Sequence, residues 1–291
     1  MTACIAPGLD AISRHRHNGP RYTLWRHLML VVTAISAKGG SGKTTLIQML
    51  ASAMLARGRR VHVMDADADK QILEWESKSA RADFGDLPRL PWPTGLTVAD
   101  APETVEGLYH ALDSFEAEGV DLVLIDTRPG EHPDTETLAL ACDMILVPAV
   151  PVQSDFVAAL KTLTWVIRMI ETLGLDDPAP LFSAVLMNAD KRAIDFVTAG
   201  DDFERDAARR RVHRQDLEVF EVISTLPLLP TPVPHLAAIQ RMSLTGPLGY
   251  VRDIYEQDLR HRLQAGHLSS ALTLCGDVLC DIEAMVDAAN G

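Results

Sequence analysis

The 291-residue sequence has few cysteines, few aromatic residues and no long hydrophobic run. Its four cysteines, Cys4, Cys142, Cys275 and Cys280, include no CxxC pair, which argues against a disulfide framework or zinc site and fits a reducing cytosol. Aromatic residues make up only 5% of the chain, so aliphatic and methionine side chains must fill the core. The longest apolar stretches run to about ten residues, too short to span a bilayer.

The charge balance is acidic, with 27 basic and 40 acidic side chains and a formal net charge of −13. A protein of this charge is not coated in basic surface, so any binding of nucleic acid would use a local patch. The hydrophobic fraction of 47% and charged fraction of 23% are those of an ordinary globular protein. They exclude wholesale disorder, collagen-like repeats and a coiled-coil rod.

The first 28 residues differ from the rest of the chain. They carry the basic string Arg14–His17 and show neither a helical nor a strand period. We expect residues 1–28 to be either a disordered tail or an over-long start with Met29 as the true initiator. A signal peptide is disfavoured because the basic residues follow the weak apolar start. No later linker requires a second domain, so we expect residues 29–291 to form one domain.

Strand and helix patterns alternate from Met29 onward. The apolar patterns predict strands over 29–36, 61–65, 96–99, 120–125, 144–147, 181–187 and 222–226. They predict helices from the glycine-rich turn to Gly58, and over 70–80, 103–117, 155–173, 201–219, 234–243, 248–265 and 268–288. This alternation predicts an α/β fold with a mainly parallel sheet covered by helices on both faces.

The strongest motif is a glycine-rich loop, residues 37–45 (AKGGSGKTT), between a predicted strand and a predicted helix. Glycines let the backbone curl so that its amides point at phosphate oxygens, and the helix N-terminus adds positive charge. In such a loop Lys43 would reach the β- and γ-phosphates, and the Thr44 hydroxyl would ligate Mg²⁺. The residues predicted to bind the nucleotide here are Gly39, Gly40, Ser41, Gly42, Lys43, Thr44 and Thr45.

The loop departs from the general phosphate-loop motif at Ala37, where that motif has glycine. The run from Lys38 to Thr45 resembles the deviant Walker A box of the ParA/MinD family of ATPases. The resemblance implies ATP and Mg²⁺ as cofactors and a doubly wound, mainly parallel sheet of P-loop NTPase type. It also implies an ATP-dependent homodimer, in which the catalytic Lys38 reaches the nucleotide of the other subunit. The alternative for Lys38 is a solvated loop lysine.

Two predicted strands end in aspartates. Val61–Asp67 resembles the second motif of that family, which implies that Asp67 orients the attacking water. The family's usual Pro-Gln is replaced here, so Asp65 stays open for that role, and helix capping is an alternative for Asp67. Val123–Gly130 resembles a Walker B strand, which implies that Asp126 holds Mg²⁺.

A later strand ends at Met187-Asn188, and in many relatives a residue here contacts adenine. We therefore expect Asn188 to contribute to nucleotide binding, with turn formation as an equal alternative.

Finer features resemble small ParA-type partition proteins and their VirC-type relatives in conjugative DNA transfer. These features are the helix with Trp75 that follows Asp67, the run Gly119–Thr127, and Met144–Pro148. The resemblance implies a slow ATP hydrolase that binds duplex DNA non-specifically as a dimer. It further implies a cytoplasmic, nucleoid-associated location and stimulation by a ParB-type or relaxosome partner.

The segment Phe203–Arg214 breaks the acidic background with five arginines, which could contact phosphates without reading sequence. The predicted DNA-binding residues are Arg205, Arg209, Arg210, Arg211 and Arg214. The alternative is a solvated helix face whose arginines pair with neighbouring acids.

The alternative function is a MinD-like ATPase that positions a protein complex on a membrane or other scaffold. The membrane version needs a basic amphipathic helix near the C-terminus. The charges of the predicted helix 268–288 are all acidic, so anionic lipid would repel it and we expect no membrane partner. An iron–sulfur relative would need paired cysteines, and Cys142 stands alone in its region.

Overall fold

The computed structural model describes residues 29–173 and 179–290. The expected tail or over-long start at residues 1–28 lies outside the described residues. The described part is an α/β structure around one six-stranded sheet, in the order β3-β2-β4-β1-β5-β6, with every neighbouring pair parallel. The strands are β1 Leu30–Ala34, β2 Val61–Ala66, β3 Leu96–Asp100, β4 Leu122–Thr127, β5 Met144–Ala149 and β6 Leu181–Leu186.

The chain winds outward from β1 to one edge, returns through β4, and then winds to the other edge. Helices connect the strands, as parallel neighbours require. They are α1 Lys43–Ala56, α2 Trp75–Ser79, α3 Val105–Ala117, α4 Pro133–Leu140, α5 Gln153–Glu171, α6 Lys191–Val197, α7 Asp202–Arg209, α8 Arg214–Ile223, α9 Ala237–Thr245, α10 Leu248–Glu256 and α11 Arg262–Asn290.

Each central strand is apolar on both sides because both faces of the sheet are covered. In β4, Leu122 and Leu124 pack on one side with α1, α9, α10 and α11, whereas Val123 and Ile125 pack on the other side. That second side is covered by α3, α4 and α5. The prediction of a doubly wound, parallel sheet with helices on both faces is confirmed.

The predicted strand 222–226 is wrong. Val222 lies in α8, whose Val219, Phe220 and Ile223 are buried at helical spacing. An apolar run at the end of an amphipathic helix has the same composition as a short buried strand, which explains the error. Beyond α8 the described chain forms two isolated bridges, Leu228 with Ala184 of β6 and Pro234 with Ala189.

Several predicted helices have different bounds. The helix predicted over 201–219 is two helices, α7 and α8, separated at Arg210–His213. The helix predicted over 248–265 ends at Glu256, and a 3₁₀ turn at Leu259–His261 leads into the long α11. The short helices α4 and α6 were not predicted.

The helix predicted over 70–80 is confined to α2. The carboxylate of Asp65 accepts hydrogen bonds from the backbone amides of Ile72 and Leu73, at 3.0 and 3.1 Å. These bonds hold the chain before α2 in turns, so the regular helix begins only at Trp75.

His62 is a buried titratable residue near the start of β2. Its ring stacks on Phe115 of α3 at a centroid distance of 3.8 Å, and Nδ1 lies 2.8 Å from the Thr97 hydroxyl. Burial lowers the pKa of His62 to about 4, against the opposing charge of Glu118. The native state therefore holds a neutral imidazole where the unfolded chain would take up a proton.

We predict that His62→Gln flattens the pH dependence of stability. Between pH 6.5 and 4 the unfolded state binds the proton and the native state does not, so the wild-type free energy of unfolding falls as the pH falls. From pH 7 to 5 this group should account for a loss of about 2 kcal/mol. Urea denaturation at both pH values measures it, with His110→Gln on the exposed face of α3 as control. Equal losses in wild type and His62→Gln would contradict the prediction.

Candidate nucleotide site

The predicted phosphate loop joins β1 to α1 at the carboxyl edge of the sheet. Gly40 and Gly42 have positive φ angles of 73° and 103°, which side chains other than glycine rarely adopt. Gly42 is the residue that caps α1. The loop therefore curls as its glycine pattern predicts and ends in a helix N-terminus.

The loop presents backbone donors with no acceptor of their own. The amides of Gly39, Gly40, Ser41 and Gly42 donate no hydrogen bond to any residue that the structure describes. The Ser41 hydroxyl is buried and also has no partner among those residues. Gly39 and Gly40 are exposed, so their amides are open to a ligand, and buried polar groups such as the Ser41 hydroxyl are nearly always paired in native proteins. The cradle therefore fits an anionic ligand such as phosphate.

Lys43 opens α1 and is only 5% exposed. Burial lowers the pKa of its ammonium group, while the charges of Asp126 and Asp67 act in the opposite direction. A buried cation behind free amides gives the cradle a fixed centre of positive charge.

Thr44 and Asp126 meet behind the loop. The Thr44 hydroxyl donates to Asp126 Oδ2 at 2.7 Å, and the register of β4 places Asp126 beside Ala34 of β1 and Asp65 of β2. Asp126 is fully buried, and its Oδ1 has no partner among the described residues. Burial raises the pKa of this carboxyl to about 7, with the Thr44 hydrogen bond and Lys43 lowering it in part.

This pair fits Mg²⁺ bound together with a nucleotide. The described residues contain no cluster of three or more His, Cys, Asp or Glu side chains that could hold a metal by themselves. Mg²⁺ is usually held by one or two protein ligands with the remaining positions filled by phosphate oxygens and water. The orphaned Oδ1 of Asp126 and the adjoining Thr44 hydroxyl supply such a partial set.

The two aspartates of the second motif have different environments. Asp65 is fully buried, and besides the amides of Ile72 and Leu73 its carboxylate accepts from the amide of Asp67 at 3.0 Å. Asp67 is only half-buried and accepts one bond, from the amide of Asp69. The Asp65 carboxylate therefore stabilises the backbone between β2 and α2, whereas Asp67 has a carboxylate oxygen that could contact a ligand.

Lys38 is held within its own chain. Its ammonium group lies 2.8 Å from Asp155 Oδ1 and 3.5 Å from the Ser154 hydroxyl, both in the first turn of α5. The Lys38 side chain is 43% exposed. Sequence reasoning did not assign Asp155 a role at the site. The available signal was its place just after β5, at the same edge of the sheet.

The last residue of β4 and the residues after it form a switch loop, residues 127–132, that lies against the residues leading into the phosphate loop. The Thr127 hydroxyl donates to the carbonyl of Ala34 at 2.8 Å, and the amide of Gly130 donates to the carbonyl of Ser36 at 2.9 Å. These two bonds fix the switch loop to the residues that lead into the phosphate loop.

Asn188 follows β6 at the same edge. It is exposed and has a φ of 53°, a left-handed backbone conformation that asparagine tolerates better than most residues. The methyl of its neighbour Met187 would lie 3.6 Å from a Cβ placed on Gly42. The end of β6 therefore borders the phosphate loop.

The predicted DNA-binding arginines do not form one helix face. Arg205 and Arg209 lie on α7, Arg210 and Arg211 follow its end, and Arg214 opens α8. All five are exposed.

Two of these arginines have acidic partners. Arg209 pairs with Glu221, and Arg211 lies 3.9 Å from Asp195. No ion pair with a described residue is recorded for the remaining three, Arg205, Arg210 and Arg214.

The apolar face of α11 is already covered. Its buried residues belong to the cluster that includes α1 and α10; they are Leu268, Ala271, Leu272, Cys275, Val278, Leu279 and Ile282. Within residues 29–173 and 179–290, none of the helices combines the length and apolarity needed to cross a bilayer.

The sheet order and site geometry define the class of protein: a P-loop ATPase fold of the ParA/MinD type. Among solved structures, pNOB8 ParA bound to nonspecific DNA matches with a TM-score of 0.52 at 16% identity, over 88% of this chain and 99% of that one. At this identity the likeness shows the fold.

The family model described as VirC1 protein matches residues 29–200, and the chain belongs to the VirC1 family. Protein virC1 of Rhizobium radiobacter is 28% identical over 220 residues, covering 76% of this chain and 83% of the relative. Maintenance of carboxysome distribution protein A of Halothiobacillus neapolitanus is 31% identical over 160 residues, covering 54% of this chain and 65% of the relative. The predicted kinship with ParA/MinD ATPases and VirC-type proteins is confirmed.

We predict that replacing Asp65 lowers the free energy of unfolding much more than replacing Asp67. Asp65→Asn should lower the free energy of unfolding by about 2–3 kcal/mol, because the amide side chain cannot accept from all three backbone amides that the buried Asp65 carboxylate now satisfies. Asp67→Asn should change it by less than about 0.5 kcal/mol, as expected for a half-exposed side chain with one such bond. Urea denaturation of both variants tests this assignment. A larger loss in Asp67→Asn than in Asp65→Asn would reverse it.

Proposed function

We propose that this chain is an ATP-dependent switch that dimerises with ATP, hydrolyses it to ADP and phosphate, and thereby positions or segregates DNA. The DNA would be a plasmid in partition or the transferred DNA in conjugation. One observation carries the proposal: the free amides of Gly39–Gly42 surround the N-terminus of α1 beside buried Lys43.

Each part of the site has a role in this proposal. The loop amides bind phosphate oxygens, and Lys43 places its charge near the β- and γ-phosphates. Thr44 and Asp126 Oδ1 hold Mg²⁺, which when bound neutralises phosphate charge and orients the phosphates. Asp67 orients the attacking water with the carboxylate oxygen that its backbone contact leaves open.

The proposed dimer uses the edge that carries Lys38. In the free chain Lys38 rests on Asp155, an exchangeable contact between partly exposed side chains. Val152 and Val157, beside Asp155, are 55% and 45% exposed, so this edge offers apolar surface to a second copy. In the dimer Lys38 would leave Asp155 and reach the nucleotide of the other subunit.

The proposed binding partner of the ATP-bound dimer is duplex DNA, bound without sequence preference. Support comes from the fold shared with pNOB8 ParA, solved on nonspecific DNA, and from the free arginines Arg205, Arg210 and Arg214. A cytoplasmic, nucleoid-associated location follows from such binding. We propose that a ParB-type or relaxosome protein stimulates hydrolysis, and that Asn188 contacts the adenine.

A second candidate is an ATPase that positions a protein complex. The name of the Halothiobacillus relative, which concerns carboxysome distribution, favours a protein cargo. A MinD-like membrane version is opposed by α11, whose apolar face is packed against α1 and α10.

We predict that DNA binding requires both ATP and the free arginines. The full chain should bind random-sequence duplex DNA with Mg²⁺-ATP and not with Mg²⁺-ADP, measured by fluorescence anisotropy at about 0.1 M salt. Replacing Arg205, Arg210 and Arg214 with Glu should weaken binding at least about tenfold, because three phosphate contacts become repulsive.

Two controls belong to this experiment. The double variant Arg81→Glu with Arg168→Glu adds acidic charge at other exposed positions and should retain binding. Lys43→Ala should lose the ATP dependence. Binding by wild type that is equal with ATP and ADP, or undiminished in the triple variant, would contradict the DNA-positioning proposal and leave the protein-cargo candidate.

A further inference from the structure

We propose that Arg128 is a nucleotide-sensing residue: its guanidinium leaves Asp134 and contacts the terminal phosphate of a bound nucleoside triphosphate. The chain would then distinguish a triphosphate from a diphosphate through this one side chain. The inference rests on the proposed function, since it assumes that a nucleotide lies in the phosphate loop.

The position of Arg128 is fixed from both sides. It lies between Thr127 and Gly130, whose hydrogen bonds tie the switch loop to the residues before the phosphate loop. Pro129, directly after it, would lie 3.9 Å from a Cβ placed on Gly39. Arg128 thus projects from a segment in close contact with the glycine that begins the phosphate cradle.

A bound triphosphate would leave an excess of negative charge at this edge, which a further cation could balance. Asp126 and Asp67 both lie near Lys43, and a triphosphate adds several negative charges. Lys38 is paired with Asp155 in the free chain. A guanidinium suits this place because its planar fork donates two parallel hydrogen bonds to phosphate oxygens.

The present partner of Arg128 holds it weakly. Its Nη2 lies 2.7 Å from Asp134 Oδ2, in a pair whose side chains are 36% and 78% exposed. Exposed pairs of this kind contribute little to stability. Asp134 lies in the first turn of α4, where the helix N-terminus favours a carboxylate even without a cation. Release of Arg128 therefore leaves no unfavourable buried charge behind.

The same arrangement occurs twice at this edge. Lys38 rests on Asp155 in the first turn of α5, and Arg128 rests on Asp134 in the first turn of α4. In both cases a cation in or next to the phosphate loop is paired with an acidic residue in the first turn of a helix. Both contacts are solvent-accessible and therefore exchangeable when a stronger anion arrives.

The test is nucleotide binding by the full chain, measured by calorimetry with Mg²⁺ and either the non-hydrolysable analogue AMPPNP or ADP. Arg128→Ala should weaken AMPPNP binding at least about tenfold and change ADP binding by less than about twofold. Arg128→Lys should retain part of the preference, because it keeps the charge but loses the fork. Asp134→Asn should hold or strengthen AMPPNP binding, and Arg168→Ala on the exposed face of α5 is the matched arginine control.

The outcomes separate this inference from the proposed function. An unchanged ratio of AMPPNP to ADP affinity in Arg128→Ala overturns the inference, as does an equal loss for both nucleotides, which would indicate a structural role. If wild type binds both nucleotides and Lys43→Ala binds neither, the proposed nucleotide site stands in those cases. Failure of wild type to bind either nucleotide overturns both.

Discussion

Parallel pairing of six strands is the constraint on which the site depends. Since every strand runs in the same direction, the residues that follow each strand collect at one edge of the sheet. The phosphate loop after β1, Asp67 after β2 and Asp126 at the end of β4 meet there although up to about ninety residues separate them in sequence. The register of β4 between β1 and β2 is what places the buried carboxylate of Asp126 behind Thr44.

The polar groups at this edge of the sheet are of two kinds: some are hydrogen-bonded within the fold, and others are open to a ligand. Asp65 is saturated by three backbone amides and shapes the entry to α2. The loop amides, the Ser41 hydroxyl and Asp126 Oδ1 have no partners among the described residues. Lys38 and Arg128 are paired with Asp155, which is partly exposed, and Asp134, which is exposed, so both contacts are exchangeable. An anion with a bound divalent cation would satisfy the second group without disturbing the first.

The sequence predicted much of this because the informative features are local. The glycine pattern of the phosphate loop, the buried strands and the aspartates at their ends each depend on neighbours within a few residues. The strand at 222–226 was wrong because the end of α8 is as apolar as a buried strand. The split of the arginine segment and the pairing of Arg209 with Glu221 depend on how α7 and α8 pack, which a single sequence does not contain.

The roles of the two second-motif aspartates show the same limit. The sequence favoured Asp67 for orienting water and left Asp65 open, since Asp65 lies in the last part of β2 and Asp67 directly follows the strand. The two aspartates are distinguished by the hydrogen bonds that the backbone amides of Ile72 and Leu73 donate to Asp65, and these bonds cross a loop. The ion pair between Lys38 and Asp155 joins residues more than a hundred positions apart. The hydrophobic periodicity of the sequence does not predict such a contact.

Hydrogen–deuterium exchange of the full chain, with and without Mg²⁺-ATP, tests the central claim most directly. The account predicts slower exchange at the amides of Gly39–Gly42, because these donors, which have no acceptor among the described residues, acquire phosphate acceptors. Unchanged exchange at those amides would contradict it. So would protection confined to the opposite end of the sheet, where a groove is lined by Met29, Arg57 and Glu283.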